Sequence, residues 1–496
     1  MSEAKRDFFI IVIGKILQIV FMLAIIKIST RLLGPKDMGS MYMLMAFSAF
    51  FMLTFLNPIG QYIQRHLNEW KESGALANNI VYHMMYVMVV SLLAVCFMVI
   101  YIAFMGMPVD FSRTNFLILF FLYLSFTYLN LFIIFLLNLL YYRTVFILLT
   151  LFTAMGILLF GYLFVDLFGK NAEHWLYGLI TSNIIFTIVA YIYFKNRVGL
   201  PSFSLKSSLM DIDSKSMALI LTFVVPLALA SIFMWVQHSG YRIIIESNNG
   251  LSFLGFFSIG LVVATQIATV FESIALQYLY PSYYQEITNA TLEHRTMAIN
   301  NFINKALPIY FLLALFLTFL AKYVVEILVD EQYYEAYIFT VFGIWVEFFK
   351  MASNLFGNIA QSEMNTKKFL VPYIFGSLVT IVLVYLASIQ SNYQLYLPMA
   401  LVLGSFSTML LMYFSMQKLL KFTIDYKLLL LATLMSIPFM GAWYISVESS
   451  FLTNFLIVLV YGLYFLGVIY FIYLKGLKRV EPTREIDPSV KLLMWI

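Results

Sequence analysis

Residues 8–30 read FFIIVIGKILQIVFMLAIIKIST, a stretch in which Lys15 and Lys27 are the only charged side chains. A helix needs ~20 predominantly apolar residues to cross the hydrocarbon core of a bilayer, so this stretch predicts a membrane-spanning helix. It is too long for the core of a signal peptide, and no small-residue cleavage site follows it. We therefore interpret it as a retained first helix that carries two lysines at membrane depth.

The rest of the chain has the same character. Of its 496 residues, 62% are hydrophobic and 11% are charged, which is far more apolar surface than a soluble fold can hide. The sequence predicts an all-α polytopic membrane protein with no room for a soluble domain. This excludes a sensor kinase, an ATP-driven exporter with its own nucleotide-binding domain, and a tethered hydrolase. We predict fourteen transmembrane helices, segments 1 to 14, at residues 8–30, 40–63, 81–105, 115–140, 144–166, 175–194, 217–241, 251–277, 303–321, 336–360, 369–390, 395–416, 427–446 and 452–474.

The basic residues predict the orientation. An even number of segments puts both termini on one side, and we place that side in the cytoplasm. Of the 30 Lys and Arg residues, 21 then lie in cytoplasmic stretches or within three residues of the cytoplasmic end of a segment, six lie in external stretches and three lie deeper inside segments. This bias follows the positive-inside rule. It predicts a multi-pass membrane protein with both termini cytoplasmic.

A long polar loop at residues 195–216 divides the first twelve segments into two sixes. This indicates two six-helix lobes that form a parallel pseudo-repeat, followed by a C-terminal helix pair. A short repeated motif supports the pseudo-repeat, because G-x4-G follows both segment 1 (Gly34 to Gly39) and segment 7 (Gly250 to Gly255). Glycines at these places are expected to allow tight turns. The predicted domains are residues 1–195 (N-terminal lobe), 196–216 (cytoplasmic linker), 217–416 (C-terminal lobe), and 417–496 (helices 13 and 14 with a cytoplasmic tail).

Polar side chains form stripes on several segments. Residues three or four apart share one helix face, and ionisable groups inside a membrane mark functional faces by default. The alternative is that such stripes only supply hydrogen bonds between packed helices. The stripes comprise Lys15 and Gln18 in segment 1, Thr54, Asn57, Gln61 and Arg65 in segment 2, Ser231, His238 and Arg242 in segment 7, Ser258, Thr265, Thr269 and Glu272 in segment 8, and Glu347, Lys350, Asn354 and Asn358 in segment 10.

The sequence contains none of the motifs that we sought for an enzyme or a metal site. Cys96 is the single cysteine, so it can form neither an internal disulfide nor a thiolate cluster. The chain lacks a phosphate-binding P-loop, an H-E-x-x-H motif and a G-x-S-x-G motif. Its five histidines have no metal-ligand spacing, and no soluble stretch combines basic and aromatic residues for nucleic acid. We expect no enzyme activity, cofactor, metal or nucleic-acid partner.

Four short motifs resemble one family. Residues 31–39, RLLGPKDMG, are similar to the R-x-L-G-P-x-x-x-G signature that follows the first helix of Wzx-type polysaccharide flippases. These flippases belong to the multidrug/oligosaccharidyl-lipid/polysaccharide (MOP) exporter superfamily. Gly60 and Arg65 match the G-x4-R at the end of the family's second helix. Residues 241–242, YR, and 255–258, GFFS, resemble its D-R and G-x-Y-S, with Tyr241 in place of the usual Asp. Residues 328–336, LVDEQYYEA, resemble G-x-x-Y-x-x-A without the Gly.

The resemblance implies a function. The cargo would be an undecaprenyl-pyrophosphate-linked oligosaccharide, moved from the cytoplasmic to the outer leaflet of the bacterial inner (plasma) membrane by alternating access. The family's central cavity is lined by helices 1, 2, 7 and 8, the helices that carry the mostly basic stripes here. The sugar would belong to O-antigen (lipopolysaccharide), capsule or exopolysaccharide biosynthesis. Candidate protein partners are a polysaccharide polymerase and a chain-length regulator, beside membrane lipid. The candidate substrate-binding residues are Lys15, Asn57, Gln61, Arg65, His238 and Arg242. The candidate ion-coupling residues, for a proton or sodium ion, are Glu272, Glu347 and Lys350.

Two other functions compete with this interpretation. A multidrug/cation antiporter of the same superfamily usually has twelve helices and places acidic residues against a cationic drug. A membrane-embedded polysaccharide polymerase or ligase places catalytic arginines in long external loops, whereas the external loops predicted here are short. The helix count and the basic stripes therefore favour the flippase.

Overall fold

The protein is described here from a computed structural model that covers residues 3–198, 214–287, 290–363, 365–445 and 450–480. Most of the predicted linker and the predicted cytoplasmic tail, at 199–213 and 481–496, lie outside these ranges. The side chain of Lys15 also lies outside the description, although its backbone belongs to the first helix.

All regular structure in the described ranges is helical. Two π-helical turns and three 3₁₀ helices interrupt or join the α-helices, at Met52–Leu56 and Val236–Gly240, and at Glu331–Ala336, Thr366–Phe369 and Ile437–Tyr444. The α-helices are α1 (Glu3–Leu32), α2 (Pro35–Phe51), α3 (Asn57–Glu72), α4 (Leu76–Met105), α5 (Arg113–Leu139), α6 (Arg143–Phe168), α7 (Ala172–Val198), α8 (Ser214–Trp235), α9 (Tyr241–Ile287), α10 (Leu292–Leu328), α11 (Tyr337–Ser362), α12 (Leu370–Ser388), α13 (Tyr393–Gln417), α14 (Tyr426–Ser436) and α15 (Phe451–Val480).

The positions of the predicted segments agree with these helices. Twelve candidate spans, judged by length and composition, occur in the described residues. One of them, Ile220–Gln277, covers predicted segments 7 and 8, which are separated by a non-helical turn at Gly250 inside α9. The first helix, α1, covers predicted segment 1. All fourteen predicted segments thus coincide with helices. The chain is an all-α, multi-pass membrane protein, as predicted.

Several predicted segments contain a break. Segment 2 is α2 and α3 joined through the π-helical turn at Met52–Leu56. The α-helix of segment 13 ends at Ser436, because Pro438 lacks an amide hydrogen and its ring disfavours a continuing α-helix, and a 3₁₀ helix completes the segment. In segment 7, α8 contains Pro226, and an irregular turn follows ten residues later, at Val236–Gly240.

Two compact units are distinguished by their internal contacts. The first comprises Met1–Ser258 with Val384–Ile389, and the second comprises Ile259–Leu383 with Gln390–Ile496. In the first unit α6 packs on α7 and α1, α5 packs on α7, and α8 packs on α3. In the second unit α10 is buried along most of its length against α11, α14 and α15, while α11 also packs on α13. The predicted lobe boundaries remain a sequence-based prediction.

Candidate functional site

Segment 2 is broken where its polar stripe begins. Pro58 has no amide hydrogen, so the carbonyl of Thr54 loses its helical donor, and a π-helical turn precedes the proline. Membrane helices tolerate such a break when other groups satisfy the freed backbone. Here two tyrosine hydroxyls donate to the two carbonyls that follow Thr54. The Tyr86 hydroxyl donates to the carbonyl of Phe55 (3.1 Å), and the Tyr128 hydroxyl donates to the carbonyl of Leu56 (2.9 Å).

A buried histidine completes this arrangement. His83 is 2% exposed, and its Nε2 lies 3.0 Å from the Tyr128 hydroxyl. Since the single phenolic hydrogen goes to the Leu56 carbonyl, Nε2 must donate and Nδ1 must carry the lone pair. Nδ1 is buried without a hydrogen-bond partner. His83 and Tyr128 therefore hold the break in segment 2 in one geometry.

The stripe of segment 2 becomes more exposed beyond the break. Thr54 is buried, Asn57 is partly buried, and Gln61 and Arg65 are exposed. The Arg65 guanidinium lies over the ring of Phe223 in α8, 6.0 Å from its centroid. Arg65 forms no ion pair with any described carboxylate. The predicted face thus presents an accessible cation that is steadied by an aromatic ring.

Arg242 occupies a different environment at the start of α9. The guanidinium lies 5.5 Å from the ring centroid of Tyr42 and 5.9 Å from that of Tyr241. Tyr123 of α5 lies within electrostatic range. Nε is buried without a hydrogen-bond partner, and Glu246, one turn along α9, forms no ion pair with it. Arg242 is therefore a cation surrounded by aromatic rings, with a donor that is free to bind an anion.

His238 lies next to this cation in sequence. It belongs to the π-helical turn Val236–Gly240, which joins α8 to α9, and its side chain is partly buried. A π-helical turn inserts one extra residue per turn, which changes the faces on which the following side chains emerge. The turn thereby sets the direction of Arg242 relative to α8.

The predicted coupling residues form a hydrogen-bonded network in the second unit. Nζ of Lys350 lies 3.1 Å from Oε2 of Glu347, one turn earlier on α11. The Thr265 hydroxyl donates to Oε1 of Glu347 (2.7 Å). Glu272 accepts from the Asn354 amide (3.1 Å) and lies within electrostatic range of both Glu347 and Lys350. The two predicted carboxylates and the lysine therefore act on one another electrostatically.

The network extends along α11 to a group of tyrosines. The Tyr280 hydroxyl donates to Oδ1 of Asn358 (3.0 Å), and the Asn358 amide donates to the carbonyl of Asn354 (3.0 Å). The hydroxyl of Tyr310 is buried without a hydrogen-bond partner and lies within electrostatic range of Glu272. Such a chain of hydroxyl, amide and carboxyl groups can hold and exchange a small cation or a proton. Among the described residues, no group of three or more His, Cys, Asp or Glu is arranged to bind a metal ion.

Several of these residues escaped the sequence analysis. Tyr42, Tyr86, Tyr128 and His83 all lie inside predicted segments, where an aromatic residue gives no signal beyond its apolar character. The one available signal was His83, because an ionisable side chain inside a segment is costly. Lys15 was predicted from its stripe, but its side chain lies outside the description. The substrate-binding and coupling roles of the predicted residues therefore remain predictions.

Solved structures with the same fold are MOP superfamily transporters. The lipid II flippase MurJ, in an inward closed conformation, is 12% identical with a TM-score of 0.65, over 95% of this chain and 98% of that one. An inward-facing multidrug resistance MATE transporter is 15% identical with a TM-score of 0.55, over 81% and 94%. A MOP transporter from Pyrococcus furiosus, whose binding pocket is described as reversed in polarity, is 15% identical with a TM-score of 0.55, over 83% and 94%.

The match is one of fold. No family model and no curated protein matches this chain. This chain shares the fold of these solved structures, because the aligned regions include most of this chain and nearly all of each neighbour.

Proposed function

We propose that this protein is a flippase. It moves undecaprenyl-pyrophosphate-linked oligosaccharide repeat units from the cytoplasmic to the outer leaflet of the inner membrane by alternating access. The fold supports transport, since the solved structures that share it are transporters and a lipid flippase. The chemistry of the basic residues supports an anionic, lipid-linked cargo.

Arg242 is the observation that carries the proposal. Its guanidinium is held between aromatic rings without a carboxylate partner, and its buried Nε has no acceptor. A buried donor without an acceptor is destabilising by roughly 1–3 kcal/mol. Pyrophosphate oxygens form bidentate, charge-assisted hydrogen bonds with such a fork of donors. An acidic antiporter site would need the opposite sign of charge here.

The exposed Arg65 suits an earlier step. It is predicted to face the cytoplasmic side, where the cargo is synthesised, and Phe223 steadies it without neutralising it. Asn57 and Gln61, on the same face, supply the neutral donors and acceptors that sugar hydroxyls require. We assign Arg65 to capture of the headgroup, and Arg242 with His238 to its binding nearer the outer side. Lys15 would add a third cation.

The acidic network is our candidate for ion coupling. Glu347 is buried but balanced by Lys350, whereas Glu272 is held by a neutral amide. An entering proton or sodium ion at Glu272 would change the balance of charge in the network, and Glu347 and Lys350 would respond to it. The coupling supplies a driving force for the return of the empty protein.

Deletion of the gene tests the proposal directly. Mass spectrometry of the membrane lipids should show single undecaprenyl-pyrophosphate repeat units accumulating in the cytoplasmic leaflet, with loss of surface glycan. Units on the outer side would indicate a polymerase or ligase instead. No accumulation, with altered sensitivity to cationic drugs, would indicate a multidrug antiporter.

Single substitutions locate the site. Arg242→Ala and Arg65→Ala should each fail to restore surface glycan while the protein stays in the membrane. Arg143→Ala is a matched control, because Arg143 also lies over a tyrosine ring (Tyr141, 5.9 Å) but outside the predicted site. Normal glycan with Arg242→Ala would contradict the assignment. A polysaccharide polymerase and a chain-length regulator, the proposed partners, would act on the delivered units.

A further inference from the structure

One face of α2 packs along its whole length on the region from α8 to α9. The residues on this face are spaced by three or four, so they lie on one side of the helix. We call this contact the outer seam, since the basic-residue bias predicts that it lies toward the external side. The outer seam joins Pro35, Gly39, Tyr42, Ala46 and Phe50 of α2 to Trp235, Arg242, Leu251 and Gly255.

At the Gly39 end of the outer seam, the backbone of α2 contacts the backbone of residues 251–255. A Cβ at Gly39 would lie 2.0 Å from the carbonyl oxygen of Leu251, and a Cβ at Gly255 would lie 1.9 Å from that of Pro35. The second glycines of the two G-x4-G motifs therefore face each other at the crossing. Gly250, with φ of 81°, turns the chain so that residues 251–255 reach α2. Only glycine permits so close an approach.

Arg242 occupies the middle of the seam. Farther along, Phe50 and Trp235 meet edge to face at 4.9 Å, and the Trp235 indole donates to the carbonyl of Ala46 (2.7 Å). Between this anchor and the glycine crossing, the contact is the guanidinium of Arg242 on the ring of Tyr42. The contact between Arg242 and Tyr42 is thus the one charged contact of the outer seam among the described side chains. The buried Nε of Arg242 has no acceptor.

We propose that the outer seam is a latch that opens when Arg242 binds a phosphate-type anion. The inference deepens the proposed function and rests on it. In the closed seam, Arg242 lies on Tyr42 with Nε shielded from solvent. An anion can form the side-on, bidentate pair with Nε only by entering between Tyr42 and α9, which separates α2 from α9. Binding of the substrate headgroup thereby opens the outer seam, which separates the headgroup from the external side.

The balance of interactions favours this order of events. A cation lying on a ring is held by a weak, non-directional attraction, whereas a phosphate forms two charge-assisted hydrogen bonds with the same guanidinium. A ligand shifts a conformational equilibrium by its difference in affinity for the two states. The anion has access to Nε only in the open seam, so binding favours opening. Arg242 is then a binding residue, and Tyr42 is its positioning residue.

The test uses the full-length protein and a pair of spin labels. Replacing Cys96, the single cysteine, with Ser gives a background for labels at Lys36→Cys and Ser252→Cys. Both positions are exposed and lie beside the glycine crossing, one on α2 and one on α9. Removing Lys36 disrupts an ion pair with Asp110 that is more than half exposed on both sides and contributes little. Pulsed dipolar distances are measured with and without inorganic pyrophosphate.

The expected result is a longer distance when pyrophosphate is present. Arg242→Gln should abolish the response, and Arg242→Lys should weaken it, because lysine keeps the charge but lacks the fork. Tyr42→Leu should raise the open fraction without any anion by about three- to thirtyfold, the range expected for losing a cation–π contact. Tyr42→Phe keeps the ring and should behave like the parent protein.

Three results would overturn the inference. They are an unchanged distance at saturating pyrophosphate, a full response in Arg242→Gln, and a Tyr42→Phe protein that opens like Tyr42→Leu. The measurement does not depend on transport, so the two proposals can fail separately. If the seam opens with pyrophosphate but no lipid-linked oligosaccharide is flipped, the proposed function is wrong and the latch stands. If flipping proceeds while the seam ignores pyrophosphate, the latch is wrong.

Discussion

Replacing Gly39 with alanine should force the outer seam apart. The new methyl group would meet the Leu251 carbonyl oxygen at 2.0 Å and its carbon at 2.8 Å. Ordinary contacts begin near 3.4 Å. Neither atom belongs to a flexible side chain, so α2 and residues 251–255 must separate by more than about 1 Å at the crossing. Overpacking of this kind costs roughly 1–3 kcal/mol.

This cost falls on the closed seam alone, because the open seam has room for the methyl group. At ~1.4 kcal/mol for each factor of ten, the ratio of closed to open protein should fall by roughly 5- to 150-fold. Pulsed dipolar distances between labels at positions 36 and 252 would measure the shift. Gly255→Ala should produce the same shift, since its methyl group would meet the Pro35 carbonyl oxygen.

The same motif supplies the control. Gly34 has an ordinary φ of −76°, and the nearest atom to a Cβ there is Oδ2 of Asp37 at 3.9 Å. Gly34→Ala should therefore leave both the distance and the amount of folded protein close to the parent values. The reasoning is refuted if Gly39→Ala, present in the membrane at normal levels, has the distance distribution of Gly34→Ala.

Three further predictions concern buried polar groups. Tyr128→Phe should lower the free energy of unfolding by about 1–3 kcal/mol, since it leaves a buried carbonyl and a buried His83 donor unpaired. In thermal unfolding, Tyr86→Phe should lower the midpoint by less than Tyr128→Phe, because the hydrogen bond of Tyr86 is exposed. Lys350→Met should destabilise by about 3–5 kcal/mol, and adding Glu347→Gln should restore part of that loss; a double variant no more stable than the single would argue against their pairing. If protons are coupled at Glu272, Glu272→Gln should flatten the pH dependence of transport in proteoliposomes, and an unchanged profile would remove it from the coupling group.

The fourteen segments were predictable because a membrane span is a local property of about 20 residues. The stripe residues were also predictable, since spacing along a helix places Glu347 and Lys350 on one face. The π-helical turns were not, because only Pro58 hints at the first and nothing marks the second. Likewise, Arg242 could be singled out as a costly charge, but its contact with Tyr42 depends on packing between residues 200 positions apart. The G-x4-G motifs predicted turns, whereas their crossing is visible only in the folded chain.

The charge of the site decides which step of transport the membrane potential drives. Each unit charge that crosses the full potential gains or loses ~2.3 kcal/mol per 100 mV. Arg65 is assigned to the cytoplasmic end of the path and Arg242 to the outer end, so neither cation accompanies a doubly charged pyrophosphate across the membrane. The headgroup therefore carries its own negative charge outward, and an inside-negative potential favours that step. Flipping in proteoliposomes should therefore speed up with an inside-negative potential when the loaded step limits the rate. Arg65→Gln should weaken capture of the cargo but leave the voltage dependence at saturating substrate unchanged, and a reduced dependence would show that Arg65 moves with the cargo.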